Sequence, residues 1–323
     1  MGTRRHFLSQ TAWSAAAIAS LPLLGCAPTP SPASAAPVPA GAAPPAAATG
    51  PMLMRTIPSS GQAIPAIGVG TSGSYEVALD SAEFTALKDV LKVFFAGGGS
   101  VIDTSPNYSN AEEVVGALLS QGKLREQCFL ATKLAADDRA SLEAQWAAST
   151  RRLRTDKVEL LQVHNLRNLA QALPYARELK AAGKTRYIGL THFRDSAHAE
   201  LAALMRKEKP DFVQINYSVN AAQAASTILP VAQELGIAVM INRAFDDGKL
   251  FARSKDMALP GWASEFQIGS WAQMFLRFAV SHPAVTVVIP ATGKPDRQAD
   301  NLKGGMGPLL TAAQQAELVR LFA

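Results

Sequence analysis

The sequence predicts an α/β chain closed into a (β/α)8 barrel, the TIM-barrel architecture, with a β-hairpin ahead of its first strand. Three observations carry that prediction. Short β-rich runs alternate with longer segments of helical period, which is the mark of a parallel sheet built from β-α units. Eight such pairs succeed one another through the body of the chain. That body, residues 52 to 323, is close to the ~250 residues typical of such a barrel.

The predicted strands, in order, are AIGVG (66–70), SVIDT (100–104), FLATK (129–133), VELLQV (158–163), TRYIGL (185–190), FVQIN (212–216), AVMI (238–241) and VTVVI (285–289). Between the first two, Phe84, Leu87, Leu91 and Phe94 recur at helical spacing, and Gly97-Gly98-Gly99 stops the helix. The preceding RTIPSSGQAIP reads as a hairpin with Ser60-Gly61 at its turn, placed to plug one barrel end.

Ahead of the body stand two further segments. Residues 1–26 hold two arginines, no acid and the short apolar stretch TAWSAAAIASLPLLG, too short to span a bilayer stably, and so read as an export signal. Thr3-Arg4-Arg5-His6-Phe7-Leu8 resembles a twin-arginine signal, which implies passage through the twin-arginine export machinery to the periplasm. LLGC, ending at Cys26, resembles a lipoprotein box that would anchor the product to a membrane through a lipidated Cys26. Ala33-Ser34-Ala35 competes with it as a cleavage site that would release a soluble product. Residues 27–51 are rich in proline and alanine, without charge, and read as a semi-rigid linker.

The formal net charge is +5, without a long run of one sign, so nothing suggests a nucleic-acid partner. Cys26 and Cys128 are the only cysteines, and loss or lipidation of Cys26 would leave no intramolecular disulfide. Cys128 opens the apolar run CFLAT and reads as a small buried hydrophobe. No Gly-x-Gly-x-x-Gly fingerprint comes after a strand; AGGGS (96–100) precedes one and reads as a helix stop.

The functional signal lies at the strand ends. Asp103, Lys133, His164, Thr191, Asn216, Arg243 and Pro290-Ala291-Thr292 all fall at or just past a C-terminal strand end, the face on which such barrels carry their active sites. Asp103, Tyr108, Lys133 and His164 would converge above the second, third and fourth strands. In that order and strand context they resemble the catalytic tetrad of the aldo-keto reductases, and the resemblance runs from about residue 55 to residue 320.

The resemblance implies NADP(H)-dependent reduction of small aldehydes or ketones, with NADPH as cofactor and NADH as the alternative. The residue types suit that chemistry. A phenol with an ordinary pKa near 10 is a reluctant proton donor at neutral pH. An ammonium at Lys133, held by Asp103, favours phenolate beside it. A neutral His164 would hydrogen-bond the substrate carbonyl. No metal is required, and the five histidines show no paired ligand spacing.

By resemblance the cofactor carboxamide lies near Thr191, His192 and Gln214, with Asn242 and Arg243 beside it, and the adenosine phosphate lies near Thr292, Lys294, Arg297 and Asn301. The chain departs from the family pattern in several places. Thr191-His192 replaces Ser-Asn, Asn242 stands where many members carry a tyrosine stacked on nicotinamide, with Phe245 as the candidate substitute for it, Ala291 replaces a lysine, and Ser109 replaces a glycine. Ser72 to Tyr75, Asn107, Leu166 and Arg194 are expected in an open substrate-pocket wall. The rival expectation is an exported, membrane-tethered barrel that acts as a ligand-binding or assembly protein without turnover.

Overall fold

Apolar residues on both faces of eight short segments leave them no stable place except between two hydrophobic layers. A computed structural model of the chain describes residues 50–323. The twin-arginine pattern, Cys26, Ala33-Ser34-Ala35 and the 27–51 linker up to residue 49 lie outside the described residues.

A hairpin comes first, β1 (Met54–Thr56) paired antiparallel with β2 (Ala63–Pro65). Eight parallel strands come next: β3 (Val69–Gly70), β4 (Val101–Asp103), β5 (Phe129–Leu134), β6 (Val158–Val163), β7 (Thr185–Thr191), β8 (Phe212–Asn216), β9 (Ala238–Asn242) and β10 (Val285–Val288). They lie side by side in chain order. The ring is closed between β10 and the segment leading into β3, where Gly68 N–H donates to Val288 O at 2.8 Å and Val288 N–H to Ala66 O at 2.9 Å. Parallel bridges Ile67–Val288 and Gly70–Ala291 continue the closure. Each predicted strand is thus present, and the first extends by bridging beyond its two regular residues.

Period-two alternation divides the strand residues between two cores. Val101, Phe129, Ala131, Leu160, Tyr187, Phe212, Ala238, Met240, Val287 and Ile289 form a core of their own inside the barrel. Ile57 and Ile64 of the hairpin join it, and Ser60 Oγ meets Tyr187 OH at 2.7 Å. The hairpin therefore plugs the N-terminal end of the barrel. Inward positions one or two steps nearer the opposite end are polar: Asp103, Lys133, Gln162 and Gln214 are all buried.

Helices α1 (Ala82–Ala96), α2 (Ala111–Gln121), α3 (Arg139–Leu153), α4 (Leu169–Ala181), α5 (His198–Glu208), α6 (Ala224–Leu235), α7 (Lys249–Ser254), α8 (Trp271–Val280), α9 (Pro295–Lys303) and α10 (Ala312–Leu321) connect and flank the strands. The first shows how the sequence sets its bounds. Ser81 caps α1 by accepting from Phe84 N–H at 3.1 Å, Phe84, Leu87, Leu91 and Phe94 make its buried face, and Gly97 ends it. Cys128 is buried just ahead of β5, and burial raises its pKa, so the thiol is an inert part of the packing. No helix of the described residues is long and apolar enough to cross a membrane.

Candidate active site

Asp103 ends β4 with its carboxylate buried at the C-terminal mouth of the barrel. A buried carboxylate must be fully partnered to be tolerated. Three donors meet this one: Lys133 Nζ at 2.6 Å on Oδ2, and Gln162 Nε2 at 2.8 Å and Gln214 Nε2 at 3.0 Å on Oδ1. Lys133 also donates to Thr104 O at 2.9 Å and is only 1% exposed. Burial alone pulls an ammonium down, but the Asp103 carboxylate and the Tyr108 phenol outweigh it, and the Lys133 pKa lies above its ordinary value. The lysine is a fixed positive charge.

Tyr108 stands in the loop between β4 and α2, where Tyr108 N–H donates to Ser105 O and Ala111 N–H to Tyr108 O. The next residue, Ser109, has φ 43°, a left-handed conformation that suits glycine better than serine. Lys133 Nζ lies 5.0 Å from the centre of the Tyr108 ring. The His164 ring meets Tyr108 edge-on, centroids 5.8 Å apart, and its Nδ1 lies 3.0 Å from Ser105 Oγ. Burial first, then the nearby Lys133 charge, pushes the His164 pKa down to about 3, so the ring is neutral at ordinary pH. The four tetrad residues are therefore brought together in one cluster, Asp103 and Lys133 buried beneath a half-buried Tyr108 and His164.

The residues behind them were not singled out by sequence reasoning. Gln162 is one: it bonds Asp103 and occupies space that a side chain at position 189 would fill, since a Cβ on Gly189 would come within 2.8 Å of Gln162 Cγ. Its signal was a polar residue within the apolar run VELLQV, on the face shared with His164 two residues on. Ser105 is the other, and Asn165 N–H, donating to Thr191 Oγ1 at 3.0 Å, ties the His164 loop to β7.

Of the expected cofactor residues, Thr191, Gln214 and Asn242 sit side by side across the mouth. Gln214 Oε1 accepts from Asn242 Nδ2 at 3.3 Å, and the same nitrogen approaches His192 O at 3.4 Å. Asn242 Oδ1 is buried and receives no donor among the described residues. Arg243, at φ 53°, is paired with Asp247 through Nε at 3.2 Å and also through Nη2, and its guanidinium lies 5.2 Å from the Phe193 ring. Thr292 is buried and accepts from Lys294 N–H at 3.2 Å. Lys294 and Arg297 are exposed at the start of α9, while Asn301 is buried on it.

Two expectations need correction. Tyr75 is fully buried and cannot line a pocket wall, since it belongs to the hydrophobic cluster between the barrel and its helices. Phe245 gives its ring to Phe251 and Phe275, 4.8 and 6.5 Å away. Asn216 does end β8, as expected, and there its side chain meets Asp195 at 2.5 Å and His198 at 3.3 Å.

A family model described as "Aldo/keto reductase family" matches residues 66–321. The chain belongs to the aldo/keto reductase family. Among curated relatives, aldo-keto reductase YhdN of Bacillus subtilis (strain 168) is 30% identical over 160 residues, 45% of this chain and 47% of that protein. Aldo-keto reductase ausK of Aspergillus calidoustus is 24% identical over 221 residues, 59% of this chain and 55% of that one. The chain thus spans about half the length of the curated relatives it matches. Among solved structures, an aldo-keto reductase from Klebsiella pneumoniae in complex with NADPH superposes with a TM-score of 0.72 at 24% identity, covering 84% of this chain and 96% of that one. The holo form of a Bacillus halodurans family member gives 0.66 at 21% identity, covering 84% and 97%. These likenesses show the barrel fold of the family; the tetrad cluster is what this chain's own side chains add.

Proposed function

We propose that the protein reduces small aldehydes or ketones to alcohols with NADPH, and that Tyr108 supplies the proton. One observation carries the reading: a buried, carboxylate-held ammonium, Lys133, lies against the ring of Tyr108, with a neutral imidazole edge-on to the same ring. NADPH, when bound, supplies the hydride that reduces the carbonyl carbon. Tyr108 then gives its hydroxyl proton to the carbonyl oxygen, completing the alcohol, and the Lys133 charge stabilises the phenolate left behind. His164 places the carbonyl by hydrogen-bonding its oxygen. Solvent returns the proton to Tyr108.

The mouth suits the cofactor's amide. Asn242 Oδ1 is a buried acceptor without a donor among the described residues, and Thr191 Oγ1 accepts from Asn165, leaving its own proton to give. A carboxamide offers the matching N–H and C=O. Gln214 and His192 stand behind this pair, and Arg243 beside it. At the other end Thr292, Lys294, Arg297 and Asn301 would hold the adenosine phosphate, and the two exposed cations favour NADPH over NADH. That Klebsiella family member was crystallised with NADPH, which supports the choice.

The test is NADPH oxidation at 340 nm with methylglyoxal and 4-nitrobenzaldehyde. Tyr108→Phe is expected to lose activity by about a hundredfold or more, with NADPH affinity, read by fluorescence titration, unchanged. A variant as active as the wild type would refute the proton assignment; a protein that binds no nucleotide would refute the reductase reading.

The N-terminal residues support a second proposal, export of the folded protein to the periplasm by the twin-arginine machinery, with Cys26 as the lipid anchor. A dinucleotide-dependent barrel would collect its cofactor before crossing. Cell fractionation of the wild type and of Arg4→Lys/Arg5→Lys, with lipid labelling of Cys26→Ala, checks both steps.

A further inference from the structure

The mechanism needs His164 to offer an N–H to the substrate oxygen, and a neutral imidazole carries only one. Which nitrogen holds it is decided by what the other nitrogen meets. His164 Nδ1 meets Ser105 Oγ at 3.0 Å, and Ser105 is fully buried. The same oxygen also accepts from Asn107 N–H at 3.2 Å. The hydroxyl proton must then find an acceptor, because a buried O–H without one is costly. Among the described residues Nδ1 of His164 is the acceptor within reach. Nδ1 thus receives a proton from Ser105 and carries none, and the ring's own N–H sits on Nε2.

We propose that Ser105 is a positioning residue that fixes His164 as the Nε2–H tautomer, so that the imidazole presents a donor to the carbonyl oxygen. The arrangement has a second consequence. Ser105 lies three residues before Tyr108 on the same loop, and Tyr108 N–H donates to Ser105 O at 3.1 Å. One turn of chain therefore holds the proton donor by its backbone and the imidazole by a side chain. Arg167 N–H donates to His164 O at 3.0 Å, which fixes the turn of backbone that carries the ring.

This inference rests on the reductase reading for its catalytic meaning, but the tautomer can be observed without turnover. The experiment is imidazole nitrogen NMR on full-length protein labelled with ¹⁵N-histidine, with His164→Gln used to assign the His164 signals. The expected wild-type spectrum has a protonated Nε2 and an unprotonated Nδ1 at His164. Ser105→Ala is expected to lose that preference, with a fall of about five- to tenfold in kcat/KM, the loss of one neutral hydrogen bond, and no change in NADPH affinity. Ser105→Thr, which keeps the hydroxyl, restores both. A wild-type Nδ1–H tautomer, an unchanged tautomer in Ser105→Ala, or a shifted tautomer with unchanged kcat/KM would each overturn the proposal. A wild-type protein with the expected tautomer and no carbonyl reduction would instead overturn the reductase reading.

Discussion

His164 shows at the scale of one residue how placement and chemistry are coupled. Its pKa is pushed down from 6.5 to about 3 by burial and by the Lys133 charge. The unfolded chain therefore binds a proton at this site that the folded protein refuses, throughout the interval between those values. The contribution of this group to stability is complete above pH 6.5 and is lost progressively as pH falls toward 3. His192 and His282 are lowered in the same sense, chiefly by burial. The melting temperature is expected to fall as pH is taken from about 7 to about 4, and less steeply in His164→Gln; parallel curves for the two proteins would contradict the assignment. The same depressed pKa predicts that kcat/KM shows no ionisation of His164 between about pH 5 and 8.

At the scale of elements, α2 and α3 approach each other at Gly116, where an added Cβ would lie 2.0 Å from Arg152 O and 2.8 Å from the Leu153 backbone. Both neighbours are main chain, so no flexible side chain can yield. Gly116→Ala is expected to cost about 1–3 kcal/mol, the usual range for overpacking, read as a lowered urea midpoint. The same helix pair encloses Glu112, whose carboxylate accepts from Thr132 at 2.7 Å, Ser149 at 3.0 Å and Arg152 at 3.2 Å. The strands were legible in the sequence because hydrophobic alternation is local. The α2–α3 contact was not, since a glycine in a helical pattern says nothing of what its bare face will touch.

Across the whole molecule, Arg277 joins distant segments. Its guanidinium is fully buried on α8 and donates to Phe266 O, Pro308 O, Lys303 O and Gly304 O at 2.5–3.1 Å. The last two carbonyls finish α9, the helix that carries Arg297 and Asn301, and a cation at that terminus is favourable. Burial lowers the Arg277 pKa to about 10, still charged at neutral pH. Arg277→Met would leave the carbonyls of Phe266, Gly304 and Pro308 without a donor, Lys303 O keeping the Met306 N–H, and is expected to destabilise the protein by about 3 kcal/mol or more. The α9 end of the proposed nucleotide site would loosen with it, so NADPH affinity should fall although the residue lies outside the mouth. Unchanged urea stability would show those carbonyls to be satisfied by other means.

The sequence by itself determined the eight strands, the hairpin plug, and the placement of Asp103, Tyr108, Lys133 and His164 at strand ends on one face. Each of these rests on a pattern read over a few neighbouring residues. Only the tertiary structure decided which polar groups meet: Ser105 with His164 across 59 residues of chain, Gln214 with Asp103 across 111. It also withdrew Tyr75 from the pocket wall into the core. Hydrogen bonds depend on direction and distance between side chains, and these are set by barrel closure and register rather than by spacing along the chain.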